Sequence, residues 1–146
     1  MKDIGWTNDG TEQITKYVDT QLADKKLVLA AEDSGVAREV LKKFFDKAQI
    51  AHEIYPNGRL LLERMEEIDT NNVGMIITDI EMPEVDGFQV AQFFKGNNRF
   101  SHIPVIVNSS MTTEAVKNKM DAIGVDGFVG KTDIKSLFSI VSQHLK

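Results

Sequence analysis

Short β-branched and apolar runs alternate, from Leu27 onward, with longer stretches whose apolar positions recur every three or four residues. That alternation predicts five strand-then-helix units, hence a parallel sheet covered by helices. Leu27 to Ala31 reads as the first strand. The helix from Gly35 to Lys47 is expected to turn Val36, Val40, Leu41 and Phe44 toward the sheet. Ala51 to Tyr55 makes a weaker strand. Asn57-Gly58 then opens a helix carrying Leu61, Leu62, Met65 and Ile68 and ending near Asn71-Asn72.

Gly74 to Thr78 is apolar on both faces, as a strand buried from two sides must be. Asp86 can cap a helix holding Val90, Phe93 and Phe94, and Ile103 to Val107 forms the fourth strand, with Pro104 tolerable only at its start. Thr112 or Thr113 caps the next helix, which stops at Gly124. A short strand at Phe128-Val129 and a final helix with Ile134, Leu137, Phe138 and Val141 complete the set. Residues 1–26 fall outside the repeat. Their Ile14, Tyr17, Val18 and Leu22 keep helical spacing, so they form a linker or an extra amphipathic helix ahead of a domain spanning 27–146.

Composition narrows function only by exclusion. At 146 residues, 42% hydrophobic and 27% charged, the chain suits one soluble globular domain. It has no cysteine, so no disulfide, thiolate metal site or cysteine nucleophile exists, and a reducing compartment such as the cytoplasm is favoured. A formal charge of −5 without a Lys/Arg cluster argues for protein partners over nucleic acid. No signal core and no membrane-length apolar run is present.

In doubly wound sheets the ligand site lies beyond the carboxyl ends of the strands. Glu32 and Asp33 follow the first strand, Asp79 the third, Ser109 the fourth and Lys131 the fifth. Three carboxylates in one pocket repel unless a cation intervenes, and a hard divalent ion such as Mg2+ suits oxygen donors. Held by Asp33 and Asp79, it would leave Asp79 as an in-line nucleophile toward a phosphoryl group. Lys131 and the Ser109 hydroxyl would then stabilise the added charge.

Ala31-Glu32-Asp33-Ser34, the run from Thr78 to Gly87, Asn108-Ser109-Ser110 and Gly130-Lys131 together resemble the signature of response-regulator receiver domains. Ser109 and Lys131 stand thirty and fifty-two residues after Asp79, as in receivers of the CheY type. The resemblance covers residues 27–146 and implies a (βα)5 flavodoxin-like sheet of strand order 2-1-3-4-5. Ala31 to Arg38, Ile77 to Pro83 and Val105 to Ser110 bring the likeness nearest to the receivers of CheV-type chemotaxis coupling proteins. It implies a CheA-like histidine kinase as phosphodonor, a link to a chemoreceptor or kinase array through a coupling domain, and 146 residues that are a fragment. No enzymatic activity is implied beyond self-phosphorylation and autodephosphorylation.

The family pattern also assigns finer roles. Glu81 would offer its backbone carbonyl to the metal, and its side chain would alter dephosphorylation. Glu32, standing where an aspartate is usual, would reach the metal through a water. Phe128 and Ser109 would relay the phosphorylated state to a partner surface on the fourth helix, fifth strand and fifth helix. Thr132 stands where a proline usually follows the lysine. His52, His102 and His144 lack metal-ligand spacing and read as surface residues.

Three rivals remain. A haloacid-dehalogenase-type phosphatase also uses a strand-end aspartate and Mg2+, but has a second aspartate where this chain has Glu81. A pseudo-receiver would keep the fold without phosphorylation. A stand-alone CheY-like protein would act on a flagellar motor target.

Overall fold

The computed structural model describes residues 26–145. The extra helix expected within residues 1–26 therefore lies outside the described residues but for Lys26. The β-prone runs form β1 (Leu27–Ala31), β2 (His52–Tyr55), β3 (Val73–Thr78), β4 (Val105–Ser109) and β5 (Gly127–Gly130). The helical stretches form α1 (Gly35–Lys47), α2 (Gly58–Met65), α3 (Gly87–Lys95), α4 (Glu114–Ile123) and α5 (Ile134–His144). All strand pairs are parallel and the order is β2-β1-β3-β4-β5. Every residue of β3 is buried, which is why its sequence lacks alternation.

Two cores sandwich the sheet. On one side Leu41, Phe44 and Phe45 of α1 meet Leu137 and Val141 of α5 over Val28, Ala30 and Ile77. On the other, Leu61 and Met65 of α2, Val90 and Phe94 of α3 and Met120 of α4 cover Leu29, Ile76 and Val107. Each helix starts where a side chain accepts from its first turn: Ser34, Asn57, Asp86, Thr113 and Asp133. At Asp86 the cap is reciprocal, since Gln89 also accepts from the Asp86 N–H.

Three readings of the pattern need correction. Val36 and Val40 do not face the sheet: they are 79% and 42% exposed, and Phe45 and Ala48 take the inner side with Leu41 and Phe44. The second helix stops at Met65, and Thr70–Asn72 is a separate 3-10 turn capped by Asp69. His52 is not a free surface residue, because its ring stacks on Phe45 at 4.9 Å and its Nδ1 lies 2.9 Å from the Ile50 carbonyl oxygen.

Candidate functional site

Parallel strands all end on one side, so the polar residues that follow them gather there. Asp79 continues β3, 3% exposed, and its N–H donates to the Ala31 carbonyl at 2.9 Å, binding it to the end of β1. Its Oδ1 accepts from the Ile80 N–H at 2.7 Å and its Oδ2 from Lys131 Nζ at 3.0 Å. The loop beyond is held by Gly87, whose N–H donates to the Ile80 carbonyl at 2.8 Å. A Cβ on Gly87 would sit 2.2 Å from the Asp79 carbonyl oxygen, so only glycine permits this close approach.

Lys131 arrives from the other direction. Its N–H donates to the Ser109 carbonyl at 3.1 Å, which anchors the loop after β5 to the end of β4. Its ammonium spans two carboxylates, reaching Glu32 Oε2 at 3.0 Å as well as Asp79. Desolvation pulls the Lys131 pKa down, but the bonds to Glu32 and Asp79 outweigh it and leave it raised. Burial pushes Glu32 up, helped by the Asp79 charge and opposed by Lys131 and the Ser34 N–H. Glu32 is 1% exposed and its Oε2 also accepts from Ser34 N at 3.1 Å, so its longer side chain is spent on Lys131 and the loop.

Carboxylate oxygens of Glu32, Asp33 and Asp79 lie within 4.8 Å of one another, and Asp33 is exposed. The Asp33 and Asp79 carboxylates, with one side open to water, suit a hard divalent cation that keeps several waters, while Glu32 is engaged by Lys131 and Ser34. Asp33, Glu81 and Asp86 rim a cavity of about 520 Å³ floored by Ile80, Met82, Phe88 and Met111. Of the acidic cluster, Asp33 lines this cavity.

The other predicted residues stand as follows. Ser109 is 1% exposed, and its Oγ accepts from the Met111 N–H at 2.9 Å, so it fixes the β4–α4 loop and is not bonded to Asp79. Phe128 is half-buried against the α4 side of the core, with Lys117 Nζ 5.9 Å from its ring centre. Thr132 follows Lys131 with no cis peptide among the described residues. The sequence reading passed over the Ile80 N–H, whose role no side chain announces. Asn108, part of the Asn108-Ser109-Ser110 motif but given no role there, is buried with an amide oxygen that has no hydrogen-bond partner among the described residues.

Residues 28–142 match the family model of the response regulator receiver domain. The chain is 36% identical over 125 residues to chemotaxis protein CheV2 of Helicobacter pylori, an alignment spanning 85% of this chain and 40% of that one. It is 34% identical over 129 residues to CheV1 of the same organism, covering 87% of this chain and again 40% of the relative. It thus spans about two fifths of those relatives. Among solved structures, the signal receiver domain of a histidine kinase from Syntrophus aciditrophicus superposes with a TM-score of 0.73 at 27% identity, over 82% of this chain and 89% of that one.

Proposed function

The chain belongs to the response regulator receiver domain family, and from that premise we propose that it is a phosphorylation-activated switch of a chemotaxis system with Asp79 as phosphoacceptor. The observation that carries this is the Asp79 carboxylate, 3% exposed, bonded at both oxygens and clustered with the carboxylates of Glu32 and Asp33. The likeness to the two CheV proteins supports the chemotaxis setting and a histidine kinase as donor.

An Asp79 oxygen attacks the phosphorus of a phosphohistidine, the N–P bond breaks, and the departing imidazole nitrogen takes a proton from solvent. Lys131, freed from Oδ2 by the loss of carboxylate charge, follows the phosphoryl oxygens while Glu32 retains its other contact. Ser109 would break its bond to Met111 N to donate to a phosphoryl oxygen, and that local exchange starts the rearrangement. Asp33 and Asp79, with the Glu81 carbonyl, would hold Mg2+. Bound there, the ion neutralises charge that otherwise repels the incoming phosphoryl group. Phe128, packed beside α4, would carry the change to the α4–β5–α5 surface.

The chain would then catalyse only its own phosphorylation and dephosphorylation. Glu81 stands exposed at the cavity rim, placed to repel or order an attacking water, so Glu81→Ala is expected to change the phosphoryl lifetime severalfold. The decisive experiment adds Mg2+ and a small phosphodonor or beryllofluoride to wild type and Asp79→Asn, following intact mass and fluorescence. A Mg2+-dependent gain of one phosphoryl mass, absent in the variant, is expected. A wild type that responds to neither reagent would establish a pseudo-receiver.

A further inference from the structure

Asn108 stands in a row with the two buried carboxylates of the site. Parallel register pairs Ala31 with Thr78 and Thr78 with Val107, so one residue further along each strand Glu32, Asp79 and Asn108 lie abreast across the ends of β1, β3 and β4. Successive side chains point to opposite faces of a sheet. Ala30, Ile77 and Ile106 belong to the core beneath α1 and α5, so two residues on Glu32, Asp79 and Asn108 emerge on that same face, whereas Ser109 follows Val107 to the other. Glu32 and Asp79 share the Lys131 ammonium. Asn108 is 6% exposed, and its amide oxygen has no hydrogen-bond partner among the described residues. A buried acceptor left unpaired destabilises the state that contains it, so it points to a second state in which a donor reaches it.

Lys131 has a donor to spare. Its main chain is fixed beside Asn108 by the 3.1 Å bond from its N–H to the Ser109 carbonyl, and the two side chains line one cavity. An ammonium carries three N–H groups. Two are accounted for, one to Glu32 Oε2 and one to Asp79 Oδ2, each at 3.0 Å. We propose that Asn108 is a positioning residue for Lys131: once Asp79 is phosphorylated, the ammonium keeps Glu32, exchanges Asp79 Oδ2 for a phosphoryl oxygen, and gives its third N–H to the Asn108 amide oxygen. The inference rests on Asp79 as phosphoacceptor and adds the group that fixes where Lys131 comes to rest. Because the new bond exists only in the phosphorylated state, it shifts the population toward that state without Asn108 touching the phosphoryl group. A neutral amide suits the place, since a further carboxylate beside Glu32 and a phosphoryl group would add like-charge repulsion.

Beryllofluoride with Mg2+ stands in for the phosphoryl group on Asp79 and gives an equilibrium reading by calorimetric titration of the full chain, with melting shifts at high beryllofluoride extending it to weak binders. Asn108→Leu has a similar shape and no acceptor. Its affinity is expected to fall roughly tenfold, as for loss of a buried hydrogen bond to a charged donor, while the free protein melts at the wild-type temperature or above, because only an unpaired acceptor is removed. Asn108→Val, β-branched like its strand neighbours, repeats the reading should the leucine variant misfold. The double variant tests the route through the lysine: in a Lys131→Met background, Asn108→Leu is expected to cost nothing further. Two losses that add would show that Asn108 acts other than through Lys131 and overturn the proposal. Equal affinities of wild type and Asn108→Leu would overturn it as well, with the phosphoacceptor reading intact and the Asn108 oxygen served by solvent. A wild type that binds no beryllofluoride would overturn both.

Discussion

Lys131 holds its ammonium between two carboxylates that water barely touches, and removing it would leave both buried without a counter-charge. Because Lys131 itself is 22% exposed, the loss in Lys131→Met is expected at about 1–3 kcal/mol by urea unfolding in chelator. Adding Glu32→Gln to that variant should recover part of the loss, since the two residues form one network. Unchanged stability in the single variant would mean that solvent screens the cluster. A second network, Glu53–Tyr55–Arg64, spans β2 and α2, and the Tyr55 hydroxyl donates to Glu53. Burial, then the bond to Glu53, pushes Tyr55 up to about 12. Its stabilisation is complete below pH 10 and lost as pH climbs toward 12, so absorbance titration should show a late phenol step missing in Tyr55→Phe. The Arg64 bond lowers Glu53, so that contribution is complete above pH 4.5 and disappears as pH falls through the lowered value.

Among the elements, α1 ends by passing through Ala48 into Gln49, whose φ of 58° is left-handed. Glycine meets that geometry without a Cβ penalty, so Gln49→Gly is expected to add about 0.5–1 kcal/mol by thermal or urea melting. A lower midpoint would show that the Gln49 side chain contributes more than the backbone costs. Gly87 predicts the opposite sign. A methyl there collides with backbone of Asp79 and Ile80, which no rotamer change relieves, so Gly87→Ala should lose more than about 2 kcal/mol. It should also slow phosphorylation of Asp79 by displacing the loop. The sequence marked Asp86 as a helix cap, yet the reason for glycine at the next position lies in a strand end eight residues earlier.

For the molecule as a whole, the proposed function places a cation among the strand-end carboxylates, and a ligand that binds only the folded state stabilises it. At tenfold above its dissociation constant, Mg2+ is expected to contribute about 1.4 kcal/mol, seen as a raised melting temperature. Asp33→Asn should abolish that increment while leaving the cation-free melt near wild type, because Asp33 is exposed and has no described hydrogen bond to lose. An equal increment in the variant would mean that the ion binds elsewhere.

What the sequence determined by itself was what local chemistry dictates. Hydrophobic period set the order of strands and helices, caps such as Asp86 and Thr113 set helix starts, and Glu32, Asp33, Asp79, Ser109 and Lys131 fell at strand ends. Tertiary structure decided what depends on contacts distant in sequence. The spacing of Val36 and Val40 suits an inner face as well as an outer one, and only the fold showed that Phe45 and Ala48 join Leu41 and Phe44 on the buried side. Glu32 reads in sequence as one more acid for a cation. The fold brings Lys131 to it across ninety-nine residues, and in a low-dielectric pocket the nearest counter-charge decides where a carboxylate points.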